Sequence, residues 1–228
     1  MIRVFAGYDP NEAAGYHTFC HSVMTRASEP VSITPIIKNQ FPEWQREGEN
    51  NGATEFSFAR FLVPYLCGYR GHAIFMDGAD MLLKGDLAEL EALRDPYKAV
   101  QVVKHDYQTN ASRKYVGTSM EADNLDYRRK NWASVMLINC DHYSWRKMTP
   151  SVLLKGNMLE ALSFSWVADQ YIGELPIHWN WLVDEYGSSY DAKVLHWTQG
   201  VPLFKHYSHT PHSDEWFKVL KDVNYATE

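Results

Sequence analysis

The chain has 228 residues, of which 45% are hydrophobic and 22% charged, and its formal net charge is -6. That length suits one domain of generous size spanning 1–228, and the acidic balance argues against a nonspecific nucleic-acid binder, which would carry a basic stripe. Three scattered cysteines (Cys20, Cys67, Cys140) lack the spacing of a disulfide framework or zinc site; no apolar run reaches the roughly 18 residues of a membrane span, and no signal pattern opens the chain, so a cytoplasmic enzyme is expected.

Met1 to Ala6 reads as a short buried strand, closed by the loop Gly7-Tyr8-Asp9-Pro10. Glu12 to Ser28 has the spacing of a helix with Phe19, Val23 and Met24 on a buried face, and Val31 to Ile37 that of a second strand. Lys38 to Thr54 turns polar, as a surface loop or flap does. Phe56 to Leu66 is apolar around most of its circumference and reads as a buried helix despite Pro64; His72 to Met76 is the next strand. Asp86 to Leu93 forms a short helix with an aspartate cap. Strands follow at Ala99 to Val103 and Ser134 to Asn139, helices at Leu153 to Leu162 and Ser165 to Ile172, a late strand at Val194 to Trp197 and a closing helix at Trp216 to Val223. Strands alternating with helices predict an α/β fold on a mainly parallel sheet, with ligands bound beyond strand ends.

The segment Ala73-Ile74-Phe75-Met76-Asp77-Gly78-Ala79-Asp80-Met81-Leu82-Leu83 is the most informative. Carboxylates beside a core are costly unless paired, and two of them at a strand end, split by Gly and Ala, are suited to a divalent cation and a phosphate-bearing ligand. A tight turn is the plainer reading of the same residues. In an extended chain Asp77 and Asp80 would face opposite ways, so joint ligation requires a turn at Gly78-Ala79. Arg60 lies in an otherwise apolar segment; it is either an ion-pair partner of Asp77, Asp80 or Asp86, or a clamp on an oxyanion. Asp9 and Pro10 also suit a turn that opens a helix, Asp169-Gln170 suits an exposed helix face, and Trp179-Asn180-Trp181 suits either an acceptor platform or core packing.

Taken in order, Ala6-Gly7-Tyr8-Asp9, Phe58-Ala59-Arg60, Phe75-Met76-Asp77-Gly78-Ala79-Asp80, Gly85-Asp86-Leu87, Ser134-Val135-Met136-Leu137-Ile138-Asn139, Asp169-Gln170, Leu175-Pro176, Trp179-Asn180 and His196-Trp197-Thr198-Gln199-Gly200 resemble glycosyltransferase family 8, the glycogenin-like and bacterial galactosyltransferase-like enzymes. The resemblance covers about residues 2 to 205. It implies a GT-A-like, Rossmann-related mixed α/β sheet flanked by helices, and retaining transfer of a hexose from a UDP-sugar with Mn²⁺ or Mg²⁺. It further implies a metal set of Asp77, Asp80 and His196, with Asp77 one residue earlier than the family's first aspartate. Nucleotide contacts would come from Ala6, Gly7, Tyr8, Asp9, Arg60, Gly78 and Ala79, and from Lys205, whose Val201-Pro202-Leu203-Phe204-Lys205 setting departs from the family's pattern. Asp169 and Gln170 would lie beside the donor sugar, with Arg60 as a further catalytic group. Trp179 and Asn180 would meet a carbohydrate or glycan-precursor acceptor. His105, Asp106, Arg128, Arg129 and Lys130 are further candidates for the border of the cleft. A nucleotidyltransferase is the nearest rival, although its Gly-rich basic loop is missing after the first strand; a noncatalytic nucleotide-sugar-binding protein is the other.

Overall fold

The computed structural model describes residues 1–37 and 56–224. In chain order, β1 (Ile2–Gly7) leads to α1 (Ala13–Arg26) and β2 (Val31–Ile36), then α2 (Val63–Leu66), β3 (His72–Met76), β4 (Met81–Leu83), α3 (Leu87–Glu91) and β5 (Val100–Val102). The hairpin β6 (Arg113–Lys114) and β7 (Ala122–Asp123) precedes β8 (Val135–Asn139), α4 (Pro150–Lys155), α5 (Met158–Leu162) and β9 (Ile172–Glu174). The chain continues through β10 (Trp181–Leu182), α6 (Val183–Tyr186), β11 (Val194–His196) and α7 (Ser213–Asn224).

Six strands form the main sheet in the order β2-β1-β3-β8-β5-β9. Every neighbouring pair is parallel except the two made by β8. The central strands β3 and β8 are covered on both faces, which is why they read as unbroken apolar runs instead of alternating ones. A smaller sheet, β10-β11-β4, packs Leu82, Leu195 and Trp197 with Trp216 of α7 into a second apolar cluster.

The helix α1 buries Tyr16, Phe19 and Val23 at helical spacing. Its Ser22 hydroxyl donates to the Phe19 carbonyl at 2.7 Å and accepts from the Leu83 N–H at 3.1 Å, fastening α1 to β4. Gly15 is where the helix meets the acidic turn: a Cβ there would lie 2.0 Å from the carbonyl oxygen of Ala79.

Several sequence-based expectations change. Phe56 to Leu66 is a 3-10 turn at Ala59–Leu62 followed by the short α2. The expected helix over Leu153 to Leu162 is two helices, because Gly156 ends α4 and Asn157 caps α5, its Oδ1 accepting from Leu159 N–H at 2.8 Å. Ser165 to Ile172 is not a helix but turns that lead into β9. The strands β4, β9 and β10 have only two or three residues each, too few for a periodic signal. The polar stretch Lys38 to Thr54 lies outside the described residues.

Candidate active site

Two strand pairings assemble the site. Antiparallel pairing of β4 with β11 sets His196 opposite Met81, and Trp197 N–H donates to Asp80 O at 2.9 Å. On the other side, β3 pairs with β8 so that Asp77 N–H donates to Ser134 O at 2.9 Å. Between the two aspartates the chain turns sharply. Gly78 has φ +76, Ala79 N–H donates to Asp77 O at 2.8 Å and Met81 N–H to Gly78 O at 3.0 Å. Only a residue without Cβ takes that φ at no cost. The turn required for both carboxylates to face one point is present.

Asp77, Asp80 and His196 are all buried, and one ligand atom from each lies within 4.8 Å of the others. His196 Nε2 is 3.4 Å from Asp80 Oδ2. Donors at right angles on one cation with bonds of ~2.1 Å lie roughly 3 Å apart, so this pair is close to that separation. Asp80 Oδ1 accepts no hydrogen bond from the described residues. Asp77 Oδ1 sits 2.8 Å from Arg60 Nη1 as an ion pair, yet off the angle of a hydrogen bond. Buried carboxylate oxygens with such incomplete partnering, together with an imidazole, fit a divalent cation.

The electrostatics carry the same tension. Burial pushes Asp77 up to about 6, against the pull of Arg60 and with the repulsion of Asp80. For His196, burial works downward, but Asp80, by charge and by hydrogen bond, outweighs it and the net shift is upward. Glu12 is a group the sequence reading passed over. It is fully buried, neither carboxylate oxygen meets a hydrogen-bond donor among the described residues, and burial, then Asp80 and Asp9, hold its pKa well above the usual range.

Arg60 is fixed by its surroundings. Nε donates to Ser57 O at 3.0 Å, Nη1 to Ala133 O at 2.9 Å, and the guanidinium lies over the Phe75 ring at 5.2 Å. Arg60 is the ion-pair partner of Asp77, and it lines the same cavity, about 370 Å³, as Asp77, Asp80 and His196. The β6–β7 hairpin forms one lip and contributes Lys114, which burial pulls downward in pKa. Lys130 lines the cavity as well, donating to Asn124 Oδ1 at 2.7 Å. No pattern around Lys114 signals this placement.

The other expected residues fall as follows. Ala6 and Gly7 end β1 with Gly78 against them, a Cβ on Gly78 lying 3.2 Å from Ala6 Cβ. Asp9 caps the turn before α1, its Oδ1 accepting from Asn11 N–H at 2.9 Å, and Tyr8 meets Tyr16 edge-on at 5.2 Å. These residues and Ala79 do not line the cavity. Lys205 is exposed and also stands off it. Asp169 and Gln170 sit in the exposed turn before β9, the edge strand of the main sheet. Asp169 pairs there with Arg129 at 2.7 Å and Arg128 at 3.9 Å, so the structure does not bring either residue to the cavity. Trp179 is core, 1% exposed, because the turn carrying it packs inward, and it offers no acceptor platform. Asn180 is wholly buried and faces His196, its Oδ1 2.9 Å from Nδ1. His105 is buried against Tyr186 Oη at 2.9 Å, and burial lowers it to about 3; Asp106 is exposed.

No family model matches the sequence. Among solved structures, the bifunctional glycosyltransferase WbbM superposes with a TM-score of 0.68 at 14% identity, over 96% of this chain and 49% of that one. The chain thus spans about half of WbbM. The galactosyltransferase LgtC, solved with donor and acceptor sugar analogs, gives 0.60 at 13% identity over 100% of this chain and 98% of that one. The glycosyltransferase GlyE of Streptococcus pneumoniae gives 0.54 at 14% identity, over 100% of this chain and 65% of that one. The fold is the GT-A glycosyltransferase fold, and the family 8 resemblance holds at the level of architecture. In sequence, the chain is 35% identical over 232 residues to Protein CDI of Arabidopsis thaliana, covering 98% of this chain and 87% of that protein. It belongs to the family of that protein.

Proposed function

We propose that this protein is a metal-dependent, retaining glycosyltransferase that moves a hexose from a UDP-sugar to an acceptor. One observation carries the reading. Two buried carboxylates and an imidazole converge, beside a fixed guanidinium, on a cavity within a GT-A fold. Asp77, Asp80 and His196 would hold Mn²⁺ or Mg²⁺, which when bound supplies fixed positive charge for a diphosphate. Arg60 is oriented by two backbone carbonyls and Asp77, so its charge costs no reorganisation as negative charge grows on the leaving group. Lys114 and Lys130 add cations at the same cavity. The sequence offers no well-placed nucleophile, so no covalent intermediate is invoked. The bond between the anomeric carbon and the diphosphate breaks while the acceptor oxygen bonds on the same face, and a diphosphate oxygen takes the acceptor proton. Glu12, buried near Asp80, keeps further negative charge out of the donor site only while protonated.

The position of Asp169 and Gln170 away from the cavity favours a second reading, a nucleotide-sugar binder that does not transfer. UDP release from a panel of UDP-hexoses, with Mn²⁺ and with EDTA, separates the two. Metal-dependent release supports the transferase. Mn²⁺-dependent thermal stabilisation by UDP-sugars without release supports the binder. The absence of both responses would overturn the site.

A further inference from the structure

We propose that Asn180 is a positioning residue for His196, holding its imidazole in the Nδ1–H tautomer so that the Nε2 lone pair faces Asp80 and the cation. The inference rests on the metal reading above, and its starting point is a backbone carbonyl whose role admits no ambiguity.

The carbonyl oxygen of Asn131 can only accept. It receives the Ser134 hydroxyl at 2.7 Å and Asn180 Nδ2 at 3.2 Å. Because the Ser134 proton is spent there, its Oγ is free to accept, and Asn180 Nδ2 donates to it at 2.8 Å. Both N–H bonds of the Asn180 amide are thereby used on one side. The end that faces His196 Nδ1 at 2.9 Å must be the oxygen. An amide oxygen carries no proton, so Nδ1 must be the donor, and in the neutral ring Nε2 is left unprotonated.

The anchor is itself held. Asn131 stands at φ +61, and its Nδ2 donates to Tyr107 Oη at 2.7 Å. Register supplies the rest: β10 runs parallel to β11 with Leu182 beside His196, which brings the preceding Asn180 against the imidazole. Without this contact, Asp80 Oδ2, 3.4 Å from Nε2, stands ready to accept a ring proton. A proton drawn to that side would occupy the lone pair that the cation needs. Outer-shell partners of this kind typically govern metal affinity by 10–100-fold. The burial of Asn180 beside a histidine, instead of at the cavity surface, is explained by this role.

The test uses the full chain labelled with ¹⁵N-histidine, metal-free and at alkaline pH, with long-range proton–nitrogen spectra reading the His196 tautomer. Mn²⁺ binding is measured in parallel by electron paramagnetic resonance of the free ion. Wild type is expected to show Nδ1–H. Asn180→Leu should shift the ring to Nε2–H and weaken Mn²⁺ binding about tenfold or more. The wild-type spectrum needs no variant, so an unfolded Asn180→Leu leaves the question decidable. An Nε2–H ring in wild type that binds Mn²⁺ overturns the proposal alone. An Nδ1–H ring in a protein that binds no Mn²⁺ overturns the metal reading and upholds the Asn180 contact.

Discussion

Replacing Asp77 with Asn probes the strain that ligand-free carboxylates impose on the fold. Asp77 is 8% exposed, 2.8 Å from Arg60, and shifted by burial from 3.8 to about 6. A carboxyl whose folded-state pKa is raised binds its proton more tightly in the folded protein. Its contribution to stability is therefore fully present below about pH 4 and is lost as pH rises through about 6. At ~1.4 kcal/mol per tenfold change in proton affinity, the rise from 3.8 to about 6 amounts to about 3 kcal/mol. Asparagine cannot ionise. Measured as the difference between Asp77→Asn and wild type, stability should move in the variant's favour by about 3 kcal/mol between roughly pH 4 and 7, and then level off. Urea unfolding in EDTA across that range is the assay; the titration of His105, which does not feel Asp77, cancels in the difference, whereas those of His196 and Glu12, which Asp77 raises, move with the substitution. Added Mn²⁺ should stabilise wild type more at the upper end of the range, since ligands bind metal deprotonated. A difference that stays constant across the range would refute the reasoning.

Gly15→Ala places a methyl 2.0 Å from Ala79 O, a backbone atom, so helix and turn must part; a loss of about 1–3 kcal/mol and weaker Mn²⁺ binding are expected, and an unchanged melting temperature would contradict this. Trp179→Ala should cost about 3–5 kcal/mol in urea unfolding as a core truncation; a stable variant with a selective rise in acceptor KM would restore the platform role. Lys114→Ala should weaken UDP binding by about tenfold in calorimetry, as a charged contact worth ~1.5 kcal/mol is lost, with folding unaffected.

The sequence exposed those parts of the fold whose cause is local. Runs such as Ala73 to Met76 and Val135 to Ile138 announce strands because sheets covered on both faces exclude polar residues. The Gly78-Ala79 turn was deducible because extended geometry would have turned its two aspartates apart. What escaped depends on pairing between distant segments. Met81 to Leu83 reads as a second apolar run after the two aspartates, and nothing in it states that it pairs with Val194 to His196 and so delivers the imidazole. Asn180 between two tryptophans reads identically whether its amide faces a cavity or a histidine. Lys114 sits in a hairpin of two-residue strands, below the length at which periodicity speaks.

The claim on which the rest depends is that Asp77, Asp80 and His196 bind one divalent ion. Calorimetric titration of the EDTA-treated chain with Mn²⁺, beside Asp80→Asn and His196→Ala, addresses it directly. A single site in wild type, weakened about tenfold or more in both variants, is the expected result. Equal binding in all three, or none in a folded wild type, would contradict it.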